Sequence, residues 1–199
     1  MKASNLNIRE YNLVFHLPIY RQNRLDLDMF IDGEVARKGG KGKSSVVNSR
    51  EEYFNPEEVA AKRVYKDEDG ICYFPTKQCK AAMKLAAKRF KDPQSTRSSA
   101  EQRISAGMKM AVDKVSIGED YAIATDLVHI PPGPRGAPAP CAWPEFRDIT
   151  IIVPVQILDE FISLEMLRNV AQLAVTMYGF GGSRPECGTG ALVDLIKVN

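Results

Sequence analysis

Five glycines surround one arginine in the twelve residues from Gly179 to Gly190. Glycine reaches positive φ and lets backbone N–H groups come close to a ligand, so this segment is typical of a main-chain cradle for phosphate or a polynucleotide backbone. The candidate donors are the backbone of Gly181, Gly182 and Gly188 and the side chain of Arg184. A helix that ends on glycine and turns tightly into a strand has the same composition, so both interpretations stay open from this segment alone.

Two basic tracts contain no acidic residue, although the net charge of the whole chain is only +2. The first runs from Arg37 to Arg50, with five basic residues in a Gly/Ser-rich setting that predicts a mobile loop. The second runs from Thr76 to Lys91 and has six. Because cationic side chains neutralise phosphates, the candidate phosphate contacts in these tracts are Lys38, Lys41, Lys43, Lys80, Lys84 and Lys88.

The second basic tract also has helical periodicity. Its lysines fall within a narrow arc at about 100° per residue, opposite the apolar Cys79 and Met83, so it predicts an amphipathic helix. The five lysines of this arc, here called the lysine stripe, are Lys77, Lys80, Lys84, Lys88 and Lys91. Neighbouring like charges on a helix repel by a few tenths of a kcal/mol per pair. Either a polyanion or nearby acidic side chains must therefore offset the stripe.

Acidic and histidine side chains raise the question of catalysis. Asp26 and Asp28 follow the first predicted strand, where carboxylates can hold Mg²⁺ or orient a 2′-OH. His16 and His129 lie in predicted strands and are candidate general acids or bases. Acids in a loop are more often solubilising, and a lone strand histidine is more often structural. We therefore leave an enzymatic role uncertain and favour a protein that is not an enzyme.

Composition limits the remaining classes of function. With 199 residues, 44% of them hydrophobic, the chain can form one large domain or two small ones. The four cysteines are scattered without a C-x-x-C pair, so we expect no metal site and no cofactor. No apolar run reaches the roughly 18 residues of a membrane span, and the first residues lack a hydrophobic signal core. We expect a soluble cytoplasmic protein without membrane contact.

The elements that must position these residues follow from hydrophobic pattern, caps and turns. The first half of the chain is predicted to form a strand at 8–19, an insertion at 20–55, a helix from Pro56, a short strand at 71–74 and the lysine-striped helix from Thr76. A loop at 93–103 and a hairpin of strands at 108–117 and 121–130 follow. The rest is predicted to form a Pro-rich finger loop at 131–145, a strand at 149–158, a helix at 163–178 and a strand at 191–198. In simplified form this is β-α-β-β-α-β, an α+β ferredoxin-like (RRM-like) layout. We expect one decorated domain over 1–199.

Two segments carry a family resemblance. Residues 73–87, with Pro75 before the helix and Lys80 within it, resemble the I-P-G-S-S-L-K-G-A-L-R segment that opens the first helix in the RAMP superfamily. The glycine segment before the final strand resembles the same superfamily's C-terminal G-x-G-x-x-x-G-x-G loop. Thr76-Lys77-Gln78 stands where the family has Gly-Ser-Ser, which removes the glycine N–H and serine hydroxyls from that position. Similar sequences also occur among uncharacterised phage proteins, which would place this chain in a host cytoplasm.

The resemblance implies a role in nucleic-acid binding. RAMP proteins form the RNA-binding backbone of CRISPR effector complexes, and they insert a thumb-like hairpin between nucleotides. The leading hypothesis is a sequence-tolerant binder of single-stranded RNA, or of ssDNA, that assembles along the strand as a homo-oligomer or filament. By position, the basic thumb-like insertion at 20–55 and the Pro-rich finger loop at 131–145 would be such projections, and Tyr73 or Phe180 would stack on bases if exposed. Trp143, beside the Pro-rich loop, is instead predicted to pack.

Two other classes of function stay open. A phage or mobile-element interaction protein, acting in assembly or anti-defence, would use the same lysine stripe to bind an acidic protein. A metal-dependent endoribonuclease would use Asp26 and Asp28, since some RAMP subunits cut RNA with an aspartate in the loop after the first strand.

Overall fold

The computed structural model describes residues 7–24, 55–129, 138–182 and 186–198. The chain divides into two compact units. The first unit comprises Met1–Arg21, Lys66–Asp120 and Phe146–Asn199, and the second comprises Gln22–Tyr65 and Tyr121–Glu145. Each unit is described by itself below, and a single domain over 1–199 stays a prediction.

The first unit is built on an antiparallel sheet. Its strands are β1 (Ile8–Arg21), β5 (Met108–Met110), β8 (Pro138–Leu158, of which Phe146 onward belongs here) and β9 (Ala191–Val198), in the order β5-β8-β1-β9. β1 pairs antiparallel with β9, with a bulge after Val14, and β5 pairs antiparallel with β8. With its helices, this sheet confirms the α+β class.

One face of this sheet is apolar, because buried apolar side chains occupy every second position in the middle of β1. Leu13, Phe15 and Leu17 are buried, whereas Val14 and His16 on the opposite face are half-buried. Two helices, α2 (Thr76–Ala87) and α4 (Leu164–Leu173), cover the apolar face with their own buried residues. Four rings close the core in a chain of contacts, with centroids 5.2 to 5.5 Å apart, and they belong to Phe15, Phe180, Phe74 and Tyr20.

The helix boundaries follow local chemistry and agree with the sequence. In the second unit, Asn55 caps α1 (Pro56–Arg63) because its Oδ1 accepts from the N–H groups of Glu57 and Glu58. In the first unit, Ser163 caps α4 by accepting from the Met166 N–H at 3.2 Å. A π-helical turn, Ala174–Tyr178, continues α4, and the helix ends on Gly179 at φ 62°.

The region between α2 and the second unit differs from the sequence prediction. The predicted loop at 93–103 contains β4 (Ser95–Ser99), which pairs with β3 (Lys91–Asp92), and it leads into α3 (Glu101–Gly107). The predicted strand at 108–117 is two strands, β5 and β6 (Lys114–Gly118), and the hairpin is wrong. β6 pairs instead with β2 (Cys72–Pro75). The chain between β5 and β6 is held to the first turn of α2, because the Thr76 hydroxyl donates to Val112 O at 2.6 Å.

The second unit contains a strand pair where the sequence predicted a loop. β7 (Ala122–His129) pairs antiparallel with residues 138–145 of β8, so the finger-loop prediction at 131–145 is corrected there. Residues 138, 140 and 144 of this stretch are prolines. Because they are separated by even numbers of residues along one strand, all three missing N–H groups lie on the same edge. That edge faces away from β7, because the Pro144 carbonyl accepts from the Gln22 N–H at 3.1 Å. The remaining parts of the predicted insertion and finger, 25–54 and 131–137, lie outside the described residues.

Candidate nucleic-acid interface

The glycine segment is fastened to the end of β1 by backbone hydrogen bonds. The Gly182 N–H donates to Arg21 O at 2.8 Å, and the Gly188 N–H donates to Ile19 O at 2.7 Å. The Gly188 carbonyl also accepts from the Phe180 N–H at 2.8 Å. Because each N–H supplies one donor, these two glycine donors are already used inside the fold.

Close backbone approach explains why glycine is needed at two of these positions. A Cβ at Gly188 would lie 1.7 Å from Phe180 O, and a Cβ at Gly181 would lie 2.2 Å from Arg21 O. Both residues also have positive φ, 78° and 80°. The expectation that the Gly182 and Gly188 N–H groups face a phosphate is therefore corrected: they hold the segment to the sheet. Arg184 lies outside the described residues.

Four of the five stripe lysines lie on α2 or at its C-cap, on the side away from the core, whereas Lys91 begins β3 and is not part of the helix as predicted. The opposite side of the helix is buried, including Cys79, Ala82 and Met83, whereas Lys77 and Lys88 are exposed and Lys80 and Lys84 are partly exposed. The structure therefore brings Lys80, Lys84 and Lys88 together on one helix face. Lys38, Lys41 and Lys43 lie outside the described residues.

The lysines of the stripe differ in how their charge is used. Lys80 Nζ donates to the Met108 carbonyl at 2.8 Å, and Lys88 Nζ lies 3.6 Å from Glu101 Oε1 in an exposed pair. Exposed pairs of this kind contribute about 0–1 kcal/mol. Within the residues that the structure describes, Lys77 and Lys84 have no hydrogen bond or ion pair. The repulsion along the stripe is therefore only weakly offset inside the protein.

Strand pairing adds a basic residue that the sequence analysis missed. Lys114 begins β6 opposite Pro75, the residue before α2, so it lies beside the first turn of the lysine-striped helix. Its Nζ lies 4.7 Å from the ring centroid of Tyr73. Such a cation–π contact holds a flexible lysine near one position. The pairing of β2 with β6 has no local signal, which is why the sequence did not reveal it.

The three aromatic candidates separate clearly by exposure. Tyr73 is half-buried under Lys114 and retains an accessible portion, as its predicted stacking role requires. Phe180 is 0% exposed in the ring cluster, so it does not meet the condition of exposure on which its stacking role depended. Trp143, in the second unit, is 6% exposed, with the Arg63 guanidinium 5.5 Å from its ring centroid, which confirms that it packs.

Of the candidate catalytic side chains, the structure describes only that of His16. His16 is half-buried on the sheet face opposite the helices, and the side chain of His129 lies outside the described residues, as do Asp26 and Asp28. In the described ranges no group of three or more His, Cys, Asp or Glu residues is placed to hold a metal ion. The same ranges contain no helix with the length and apolar character needed to cross a bilayer.

Comparisons with known proteins match this chain by structure. No family model matches it, and no curated protein sequence matches it. A chain of the cryo-EM structure of the Type III-B Cmr-beta bound to cognate target RNA is similar in fold, with a TM-score of 0.51 and 8% identity. The crystal structure of Cmr6 from Pyrococcus furiosus matches with a TM-score of 0.43, 12% identity and coverage of 97% of this chain and 100% of that chain.

The first match covers 96% of this chain but only 61% of the other, so this chain spans less than two thirds of that protein's length. At these identities the likeness concerns the fold alone.

Proposed function

We propose that this chain is an RNA-binding subunit of a multi-subunit CRISPR-type complex, and that it holds single-stranded RNA along the lysine stripe. The observation that carries the proposal is the row of lysines on the solvent side of α2, in which Lys77 and Lys84 have no partner among the described residues. RNA phosphates would supply the missing negative charge. The subunit would act in the cytoplasm and assemble with further copies along the strand.

The arrangement of the first unit supports this proposal. If the short β2–β6 and β3–β4 pairs and the seven-residue helix α3 are set aside, the remaining order is β1, α2, β5, β8, α4, β9. The sheet order β5-β8-β1-β9 is then the 2-3-1-4 order of a ferredoxin-like layout, which we propose for this unit. Ferredoxin-like domains of the RRM type bind single-stranded RNA on the face of their sheet, so the layout supports the ligand, whereas its position along α2 rests on the lysines. The matched chain of similar fold comes from a structure of Cmr-beta bound to cognate target RNA, which supports the same ligand here.

Binding would be tolerant of sequence because most contacts reach the backbone. Lysine ammonium groups attract phosphate without reading the base edges. Tyr73, with Lys114 above its ring, would stack on one base next to the stripe. Lys38, Lys41, Lys43 and Arg184 belong to the same proposal from the sequence. Single-stranded DNA carries the same backbone charge and is the alternative ligand.

The test is fluorescence anisotropy with a labelled single-stranded RNA at low salt. A variant with Lys77→Glu and Lys84→Glu changes the two stripe lysines that have no partner, and it should bind much more weakly than the wild-type chain. The matched control carries Arg168→Glu and Lys197→Glu, the same change of charge at exposed basic residues that lie outside the stripe and have no ion pair among the described residues. Equal binding by both variants would show that α2 does not contact the RNA.

Two alternative functions predict different results for the same purified protein and labelled oligonucleotide. If the stripe binds an acidic protein, purified chain should carry no nucleic acid and should not retain the oligonucleotide. If the chain is an endoribonuclease, Mg²⁺ should stimulate cleavage of the labelled RNA, and Asp26→Asn with Asp28→Asn should abolish cleavage while leaving binding intact.

A further inference from the structure

A small pocket opens at one end of the first unit's sheet. It lies where α3 leads into β5, next to the start of β1 and the end of β8. Its volume is about 140 Å³. The residues that matter for its chemistry are Ile8, Ala106, Met108, Lys109, Gln156 and Leu158. We call it the β5 pocket.

The β5 pocket has the size and lining for one flat ring. An apolar cavity of about 150 Å³ is known to accept benzene, so the volume here suits a single six-membered ring and is tight for a fused pair. Ile8, Met108 and Leu158 supply apolar contact for the faces of such a ring. The pocket walls alone would fit either an aromatic base or an apolar side chain.

Polar groups at the β5 pocket favour a base with polar edges. Gln156 Nε2 donates to Glu10 Oε1 at 2.5 Å, which leaves the Gln156 carbonyl oxygen as an acceptor for a ring N–H. Lys109 is exposed and lines the same pocket, where its ammonium group can donate to a ring carbonyl or a phosphate. A heterocycle that carries both N–H and C=O groups uses both partners.

The β5 pocket is also joined to the lysine stripe. Lys80 Nζ donates to the carbonyl of Met108, a residue of the pocket wall, at 2.8 Å. Lys109 therefore lines the pocket, and Lys80 is hydrogen-bonded to its wall. Of the acids nearby, Asp159 pairs with Arg9, whereas Glu10 accepts from the neutral Gln156 amide and keeps its negative charge. That charge beside Gln156 disfavours a carboxylate in the pocket, while Lys80 and Lys109 can meet the phosphates of a nucleotide whose neutral base occupies it.

We propose that the β5 pocket receives one pyrimidine base of the RNA whose backbone follows the lysine stripe. The pocket is a specificity element on a surface that otherwise tolerates any sequence. It admits uracil or cytosine and excludes the larger fused ring of a purine. This inference rests on the proposed RNA-binding function.

The test compares labelled oligouridine and oligoadenosine of equal length with the wild-type chain and an Ala106→Phe variant. Ala106 lines the pocket and is exposed, so a phenyl ring there fills the pocket from the solvent side without entering the core. Stacking of one base is worth a roughly fivefold or larger change in affinity, and the wild type should prefer oligouridine by that factor. Ala106→Phe should remove the preference and leave oligoadenosine binding unchanged. Gln102→Phe, also exposed on α3 but outside the pocket, is the control and should keep the preference.

The outcomes separate the pocket from the function on which it rests. If Ala106→Phe has the wild-type melting temperature and keeps the wild-type preference for oligouridine, the pocket is not a base site. A wild-type chain that binds both oligonucleotides equally also overturns the proposal while the RNA-binding function stands. A wild-type chain that binds neither overturns the function itself. A change of self-association in Ala106→Phe, with an unchanged base preference, would assign the pocket to a side chain of another copy.

Discussion

A single alanine at Gly188 tests whether the glycine segment is held by packing. The new Cβ would lie 1.7 Å from Phe180 O, so the backbone must move. The move would lengthen two hydrogen bonds, from the Gly188 N–H to Ile19 O and from the Phe180 N–H to Gly188 O. Each is worth about 1 kcal/mol net, and the positive φ of a non-glycine residue costs about 1–2 kcal/mol. Gly188→Ala should therefore lower the free energy of unfolding by about 3–4 kcal/mol.

Gly70→Ala is the matched control for that measurement. Gly70 has φ 81°, close to the 78° of Gly188, but nothing lies within 4 Å of its added Cβ. It should lose only the cost of the backbone conformation, about 1–2 kcal/mol. Urea denaturation of both variants gives the comparison directly. Equal losses would refute the packing interpretation, because only Gly188 has a neighbour that an alanine would displace.

Three further predictions follow from charge and burial. Replacing Lys77 and Lys84 by Gln should reduce the slope of log affinity against log salt concentration by about 1.4, since a single strand gives about 0.7 per phosphate contact. An unchanged slope would show that these lysines do not contact phosphate. Burial raises the pKa of Cys79 to about 12, so its thiol should react slowly with iodoacetamide at pH 8. Half-buried Cys141 should therefore be labelled first, as judged by peptide mass spectrometry. Early labelling of Cys79 would contradict its burial. A backbone hydrogen bond from Gln94 and a guanidinium partner lower the pKa of Asp92. The stability contributed by its carboxylate is therefore present above its ordinary pKa and lost as the pH falls through the lowered value. Asp92→Asn should destabilise at pH 7 and lose that effect once the pH is below the lowered pKa, as urea denaturation at each pH would show.

Much of the fold could be predicted because its signals are local. The cap at Ser163, the apolar alternation of β1 and the glycine after the π-helical turn each depend on a few adjacent residues. α3 was missed because its apolar positions are few: Ile104 is the one large apolar residue among its seven. The strand at 138–145 was missed because prolines normally exclude a strand. Here they alternate, so one edge carries every missing donor.

The candidate site could be predicted only in part because its partners are distant in the chain. The spacing of the stripe lysines is helical and visible in the sequence. The Gly188 N–H, in contrast, donates to the carbonyl of Ile19, a residue from the opposite end of the chain. No local pattern separates a glycine N–H that faces a ligand from one that faces another strand. The Lys114 position depends in the same way on the pairing of β2 with β6.

The pairing of β1 with β9 has a consequence for how the protein is made. β1 lies between β8 and β9 in the sheet, so it gains its last neighbour only after Ala191–Val198 leave the ribosome. At about 5–20 residues per second, both edges of β1 are open until β8 has been made, and one edge then stays open for roughly a further 2 to 8 s. High contact order of this kind places folding in the millisecond-to-second range and exposes the nascent chain to aggregation. Any chain that stops before β9 would keep that edge open permanently, which gives protein quality control a simple mark of incomplete synthesis.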